Sequence, residues 1–311
     1  MRLIIKSHMR ALVISGGGSK GAFAGGVSEF LINELKLKYD ILIGTSTGSL
    51  LVPQLAIGEV DAIKYAFSNV TNKDIYSVCP FRVMRTKDGA FRTKMHHSNI
   101  LRMFLRGKKT FGEHKTLLKT IKNTIPRAHF DRIQHSGKKV IASVSNLTRN
   151  IVEYKYASDC TYEDYMEWMW TSASFVPFMG IVDKNGYEYA DGGFGSLVPV
   201  EEAINAGATE VDVIVLNPKY SIPEPRSTKN AFDVIMRTLE FMHYRIGRHD
   251  VYIGHLQSVY DDTVHVNFIY TPRLLTDYSF LFDPPQMKQW WQEGFDHARK
   301  LYDDGDLFTS Y

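Results

Sequence analysis

Ser46 lies in the pentapeptide Gly44-Thr45-Ser46-Thr47-Gly48, a G-x-S-x-G pattern. The apolar run Ile41-Leu42-Ile43 precedes it, and a helix-like run from Leu50 to Ile57 follows. In that strand–turn–helix setting a serine stands on a turn so tight that small residues must flank it, and its hydroxyl is pushed out at a sheet end. The chemistry open to it is nucleophilic attack with a covalent acyl intermediate, which needs a base and donors for the developing oxyanion. A second chemistry-bearing stretch is Ser15-Gly16-Gly17-Gly18-Ser19-Lys20-Gly21, between a strand-like run and a helix-like one. Consecutive glycines at a helix N-terminus let backbone N–H groups converge on an anion.

Two uses of the glycine loop are open. Gly16-x-Gly18-x-x-Gly21 fits the dinucleotide fingerprint, and Asp40 lies about twenty residues on. Asp40 precedes the second strand, however, whereas a ribose-binding acid should follow it, and the lysine lacks the Walker spacing. The other use is an oxyanion hole built from Gly16, Gly17 and Gly18, with donors of this kind supplying ~3–4 kcal/mol. The order strand, glycine loop, helix, strand, serine turn places the two motifs at one sheet edge if the strands are parallel neighbours. For the base, His243, His249, His255 and His265 follow Asp191, so a Ser–Asp–His order exists on paper. Only about forty residues precede Ser46, too few for the strands that come before the elbow of an α/β-hydrolase. Asp191 itself, in Tyr189-Ala190-Asp191-Gly192-Gly193, follows a strand-like run and sits on a tight turn. Asp-Gly is also an ordinary turn pair.

The elements that must carry these residues alternate. Strands are expected at Ala11–Ser15, Ile41–Ile43, Val140–Asn146, Val211–Leu216 and Val264–Ile269, with Ile151–Tyr156 beside the third. Helices are expected at Ala22–Leu37, Leu50–Ile57 (kinked at Pro53), Asp61–Phe67, Tyr162–Thr171, Val200–Asn205, Asn230–Arg245 and Gln286–Tyr302. Ile181–Tyr189 reads as a hairpin turning at Lys184-Asn185-Gly186. Continuously apolar strands between helices imply a mostly parallel α/β sheet.

The chain has 311 residues, 44% hydrophobic and 23% charged, an ordinary globular balance with a net charge of +3. That charge is uneven. Arg82 to Lys139 holds 16 Lys or Arg against 3 Asp or Glu, a local +13, which leaves −10 for the rest. Tyr76–Arg132 reads as mostly helical, with apolar spacings such as Ile100, Met103, Phe104 and Leu117, Leu118, Ile121 under basic outer faces. Such a surface suits an anionic partner, a lipid membrane or nucleic acid. Ile41–Gly58 is uncharged but is better explained as a buried strand, turn and helix than as a membrane span. Met1–Arg10 carries Lys6, His8 and Arg10, and the apolar run after it ends in glycines, unlike a secretory leader. With only Cys79 and Cys160, a cytoplasmic location is expected. His96-His97 and the scattered carboxylates lack metal-ligand spacing, so neither cofactor nor metal is expected.

Taken together, Gly16-Gly17-Gly18-Ser19-Lys20-Gly21, the Ser46 pentapeptide and Asp191-Gly192-Gly193 resemble the motifs of the patatin-like phospholipases in order and spacing. Ser172-Ala173-Ser174-Phe175-Val176-Pro177 and Pro199 are similar to further family features, and the likeness covers roughly residues 10–220. The resemblance implies a patatin-type three-layer α/β/α fold with a mostly parallel central sheet and a helical insertion. It implies a Ser–Asp dyad with Ser46 as nucleophile and Asp191 as base. Gly16, Gly17 and Gly18 would form the oxyanion hole, with Lys20, Gly44, Gly48 and Gly192 in support. Leu197 departs from the family, many members of which have Asn there. The implied activity is lipid acyl hydrolysis of phospholipase A or lysophospholipase type on a phospholipid or other acyl ester, with peripheral contact to anionic membrane through residues 82–139 and no nucleic acid. A soluble carboxylesterase and a nucleotide-binding protein are the alternatives. The expected organisation is a catalytic region over residues 9–220 containing a basic insertion or lid at 76–139, then an extension over 221–311 packed on the same domain. Pro218–Thr228, with Pro223 and Pro225, is the expected linker.

Overall fold

A computed structural model describes residues 8–85, 91–220 and 227–308; Lys6 and Ser7 of the N-terminal stretch and Pro223 and Pro225 of the expected linker lie outside these. From β1 (Arg10–Ile14) the chain passes through the glycine loop into α1 (Gly21–Glu29), which ends in a π-helical turn at Phe30–Glu34. β2 (Ile41–Thr45) then leads through Ser46 into α2 (Thr47–Ala56), α3 (Val60–Asn69) and α4 (Asn72–Ile75). Next come an antiparallel pair, β3 (Phe81–Arg85) and β4 (Phe91–Met95), and three helices, α5 (His97–Leu105), α6 (Lys115–Thr124) and α7 (Arg127–Gln134). β5 (Lys139–Asn146), β6 (Ile151–Tyr156), α8 (Tyr162–Ser172), β7 (Val182–Lys184) and β8 (Tyr187–Asp191) follow. The described chain closes with α9 (Val200–Asn205), β9 (Glu210–Val215), α10 (Ala231–Tyr260), β10 (His265–Tyr270) and α11 (Pro284–Asp303).

Eight strands form one sheet in the order β10-β9-β1-β2-β5-β8-β7, with β6 also on β5. The five from β10 to β5 are parallel, β6 and β8 run antiparallel to β5, and β7 pairs antiparallel with β8. The register explains where the site forms. β2 pairs with β5 up to Thr45 opposite Ser143, and β8 begins its pairing with Asp191 opposite Val144. β6 occupies β5 from Ile141 to Asn146, so β2 and β8 must share the opposite edge and meet nearly end to end. Ser46, one residue past β2, and Asp191, the last residue of β8, are therefore brought to the same gap.

Alternation along the buried strands builds two cores, because successive side chains leave a strand on opposite faces. Leu12, Ile14 and Leu42 join the larger core with Phe23, Leu51, Phe130, Tyr165 and Trp291 from the helices on that side. Ala11, Val13, Ile41 and Ile43 join the other with Val200, Ala203 and Val251 from α9 and α10. The result is a helix–sheet–helix sandwich, the architecture the sequence led us to expect.

Pro53 stands inside α2, which runs on to Ala56. Two local expectations need correction. The basic stretch, expected to be mostly helical, also holds the two-stranded ribbon of β3 and β4. α10 continues fifteen residues beyond Arg245 to Tyr260, about 45 Å in all. Gly247 and Gly254 are helical there because α10 crosses close over neighbours; an added Cβ would lie 2.9 Å from Leu197 Cδ2 and from Phe268 Cζ respectively. The hairpin at Asn185-Gly186 forms as expected, with φ of 54° and 82° at the two turn residues. No helix among the described residues is long and apolar enough to cross a membrane.

Candidate active site

Ser46 has φ 53° and ψ −119°, an elbow conformation that costs a non-glycine residue about 1–3 kcal/mol and persists only where the surroundings enforce it. The enforcement is visible. A Cβ on Gly44 would lie 2.2 Å from the Gly48 carbonyl carbon, and one on Gly48 would lie 2.2 Å from the Ile14 oxygen. β1, β2 and the start of α2 thus close on one another with no room for side chains. The Ser46 N–H donates to Ser172 Oγ at 2.9 Å, and the Ser49 hydroxyl donates to the Ser46 carbonyl at 2.6 Å. Thr45 Oγ1 lies 2.6 Å from Ser143 Oγ, tying β2 to β5 just before the turn.

Asp191 is buried beside the Ser46 side chain, and its carboxylate accepts from the Gly193 N–H at 2.8 Å. Burial pushes its pKa up from 3.8 to about 7, against the Gly193 N–H and the Ser46 side chain, which favour the anion. The Asp191 N–H donates to the Ser174 carbonyl at 3.0 Å. The segment starting at Ser172 therefore holds both partners, Ser46 through its serine hydroxyl and Asp191 through the Ser174 carbonyl. Ser174 is steadied in turn by His114, whose Nε2 lies 2.7 Å from Ser174 Oγ while its Nδ1 accepts from the Gly180 N–H at 3.2 Å. Burial lowers the His114 pKa to about 3, so the imidazole is neutral. Gly192 sits against Ser143, and its carbonyl accepts from Ser145 Oγ at 3.3 Å.

In the glycine loop the three residues differ. The Gly16 N–H donates to the Leu197 carbonyl at 3.0 Å, so of the three expected oxyanion donors this one is already engaged. The Gly17 and Gly18 amides have no hydrogen-bond partner among the described residues. Gly18 has φ 57°, and a Cβ there would lie 2.2 Å from the Ser279 oxygen, which accepts from the Ser19 N–H at 2.8 Å. Lys20 is buried; its ammonium donates to the Leu216 carbonyl at 2.6 Å and to Asn217 Oδ1 at 2.9 Å. Burial pushes its pKa down to about 8, with Glu240 opposing. The lysine thus ties the loop to the end of β9.

Leu197, where the chain departs from the family pattern, joins the pieces: its methyls approach Gly16, Gly193 and Gly247. Its own segment is held by Asp250 of α10, which accepts from the Leu197 and Val198 N–H groups, the latter at 2.8 Å. Burial raises the Asp250 pKa to about 7. His243 of α10 stacks near Phe175 and Phe194 at 5.0 and 4.9 Å, and its Nδ1 donates to the Leu239 carbonyl at 2.9 Å. Its Nε2 is buried and unpartnered, so this histidine next to the Asp-Gly-Gly turn makes no hydrogen bond to Asp191. Asp250 escaped the sequence reading, which found no motif beyond Pro218, and His243 entered it only as one of four histidines that follow Asp191; only the chain crossing of α10 brings the two here.

Ser46, Asp191, Gly16, Gly17, Gly18 and Lys20 all border one cavity of about 1320 Å³. From Ser46 one arm runs between α3, α6 and β3 past Ile63, Phe67, Phe81, Leu117 and Ile121. The other is more polar and passes Asn217, Arg237, Glu240 and Tyr244 under the first half of α10. A pocket of drug-sized ligands holds 300–1,000 Å³, so this one suits a longer molecule with a polar end.

The profile of the patatin-like phospholipase family matches residues 12–204. No curated protein matches the sequence. Among solved structures, VipD from Legionella pneumophila is similar to this chain with a TM-score of 0.51 and 15% identity, over 96% of this chain and 67% of that one. At that identity the likeness is one of fold, and the family rests on the profile match over most of the chain. The chain belongs to the patatin-like phospholipase family, a family of lipid-hydrolysing enzymes.

Proposed function

We propose that the protein is a serine lipid acyl hydrolase of phospholipase A or lysophospholipase type, acting through a Ser46–Asp191 dyad. The observation that carries this reading is that Ser46 on its strained turn and the buried Asp191 border one cavity with a largely apolar wall. Asp191 takes the Ser46 proton as Oγ attacks the ester carbonyl. The Gly17 and Gly18 amides receive the oxyanion, and Asp191 returns the proton to the departing alcohol. Water then enters, gives its proton to Asp191 and attacks the acyl carbon; the proton passes to Ser46 Oγ as the fatty acid leaves. A carboxylate with a pKa near 7 suits both roles, since it accepts a proton readily and gives it back. His243 is not placed as the base: its Nδ1 donates to the Leu239 carbonyl, and its Nε2, the nitrogen with the free lone pair, makes no hydrogen bond to Ser46 or Asp191.

The apolar arm favours a long acyl chain over the small esters of a soluble carboxylesterase. It is lined by aliphatic and aromatic side chains from three elements, and filling it releases water from each. The region over residues 9–220 supplies the dyad and loop, and the extension over 221–311 completes the cavity wall and belongs to the same working unit. The substrate is a phospholipid, a lysophospholipid or another lipid acyl ester met at a membrane surface by a peripheral enzyme. Fluorophosphonate labelling followed by mass spectrometry tests the dyad on the wild type, Ser46→Ala and Asp191→Asn. The expected adduct is on Ser46 and is lost in both variants. An adduct elsewhere, or undiminished labelling of Asp191→Asn, would overturn the assignment.

A further inference from the structure

The rim of the cavity is built from three segments: the end of β4 with the start of α5, the first half of α10, and residues 274–282. All three place apolar side chains in solvent. On α5, Ile100 and Met103 turn inward, yet Leu101, Phe104 and Leu105 remain 58%, 54% and 80% exposed. On α10, Val234, Phe241 and Met242 are exposed, and Leu274 and Tyr278 are exposed on the third segment. These segments touch. His97 of α5 lies 6.4 Å from Phe232 of α10, and Phe111 lies 5.9 Å from Phe104 and 5.5 Å from Phe232. From Phe111 the aromatic series continues inward through Phe178 at 5.8 Å to Phe175, which borders the cavity beside Ser46.

From Lys94 to Arg106 the charged side chains are all basic, whereas α10 and residues 274–282 also bring Asp233, Glu240 and Asp277 to the cavity wall. Lys94, Arg102 and Arg106 stand exposed among the apolar side chains of β4 and α5 and form no ion pair among the described residues. Elsewhere in the basic stretch the cations are otherwise used. Arg127 and Arg132 pair with Glu163 and Glu59, Lys108 and Lys109 pair with Glu113 and Glu188, and Lys138 and Lys139 donate to the Ala56 and Ala206 carbonyls. α6 carries exposed lysines but no exposed large apolar residue, and neither does α7. Apolar side chains and unpaired cations coincide on α5, at the mouth of the cavity.

We propose that α5, with the exposed apolar residues of α10 and of residues 274–278, is the face on which the protein lies against an anionic lipid bilayer, its cavity mouth turned to the lipid. This rests on the lipid acyl hydrolase reading and adds where the lipid is met. Leu101, Phe104 and Leu105 enter the boundary between headgroups and chains, while Arg102, Arg106 and Lys94 meet the lipid phosphates. A nucleic acid would use the cations but leave the leucines in water. A lipid drawn from the bilayer enters the cavity past Met95, His97 and Phe232, which border it, toward Ser46. The +13 of the basic stretch thereby narrows to a few residues that act together with apolar neighbours.

The test uses the full chain carrying Ser46→Ala, so that no lipid is consumed, floated with phosphatidylcholine vesicles with and without about one third phosphatidylglycerol. Binding is expected with phosphatidylglycerol and is expected to fall with salt. Leu101→Ser, Phe104→Ser and Leu105→Ser together should lower the vesicle partition at least tenfold, and Arg102→Glu with Arg106→Glu by a similar factor, about fivefold for each charge. Lys119→Glu with Lys122→Glu on α6 should change it less than twofold. The same substitutions with Ser46 intact should leave turnover of a water-soluble short-chain ester unchanged, which shows the fold and dyad to be whole. Vesicle binding that is absent, that survives the triple substitution, or that the α6 variant weakens as much as the α5 variants do would overturn the docking face. Loss of soluble-ester turnover by Ser46→Ala supports the dyad whatever the vesicles do, so the two readings fail separately.

Discussion

Replacing Asp191 by Asn should make the protein more stable at alkaline pH while silencing it. Asn keeps the shape, and its Oδ1 can still accept from the Gly193 N–H that now lies 2.8 Å from the carboxylate. What it removes is a charge held out of water. The folded-state pKa of Asp191 is about 7 against 3.8 for the free side chain, because burial outweighs the favourable influence of the Gly193 N–H and the Ser46 side chain. A group whose pKa is raised on folding contributes stability below its unfolded pKa and loses it as pH rises through the folded one. The loss therefore runs from about pH 4 to about pH 7. Three units at 1.36 kcal/mol each give about 4 kcal/mol of cost in the ionised enzyme. Urea unfolding at about pH 4 and about pH 8 should show wild type and Asp191→Asn nearly alike in acid and the variant ahead by about 2–4 kcal/mol in base. Ester turnover by the wild type should rise through a single ionisation near pH 7, and the variant should lose about a thousandfold or more. A stability difference independent of pH, or turnover flat across this range, would refute the assignment of a buried, ionising base at residue 191.

Gly18→Ala sets a methyl 2.2 Å from the Ser279 oxygen at a φ of 57°, so kcat should fall at least tenfold at a stability cost of about 1–2 kcal/mol, read by paired kinetics and melting. Ile121→Trp narrows the apolar arm; turnover of long-chain esters should fall relative to short-chain ones, and chain-length profiling reads the ratio. Asp212 is fully buried and receives Arg10 Nε at 2.7 Å, Tyr39 OH at 2.9 Å and Asn267 Nδ2 at 3.0 Å. Asp212→Ala strands these donors and should cost about 3–5 kcal/mol by denaturant titration with the short-ester KM unchanged. The His114 pKa is depressed on folding, so its contribution is present above the unfolded value of 6.5 and is lost as pH falls toward about 3; a His114→Gln variant should flatten the acid limb of the stability curve.

What could be read from sequence and what could not divide along a physical line. The Ser46 turn was legible because backbones that meet at about 2 Å from a virtual Cβ admit only glycine at 44 and 48, and that demand is written in residue types. The strands were legible because they are buried on both faces, so their apolar runs are continuous. β3 was not, since Arg82 and Arg85 flank Val83 and Met84 without strict alternation, in a stretch whose charge reads first as helix surface. The state of each loop amide was beyond reach for another reason. Gly16 is engaged by the carbonyl of Leu197, and Ser19 by that of Ser279, and a carbonyl is offered by every residue alike. The same holds for α10: Asp250 caps the Leu197–Val198 amides from fifty-two residues away, and nothing local to either segment announces it. Sequence thus located Ser46, Asp191 and the glycine loop, whose residue types chemistry restricts. The groups that hold them in place are largely backbone atoms and distant partners, which only the chain path selects. It follows that variants in α10 and residues 274–282 should disturb the site as readily as variants in its motifs, through Leu197 and the glycine loop that both segments touch.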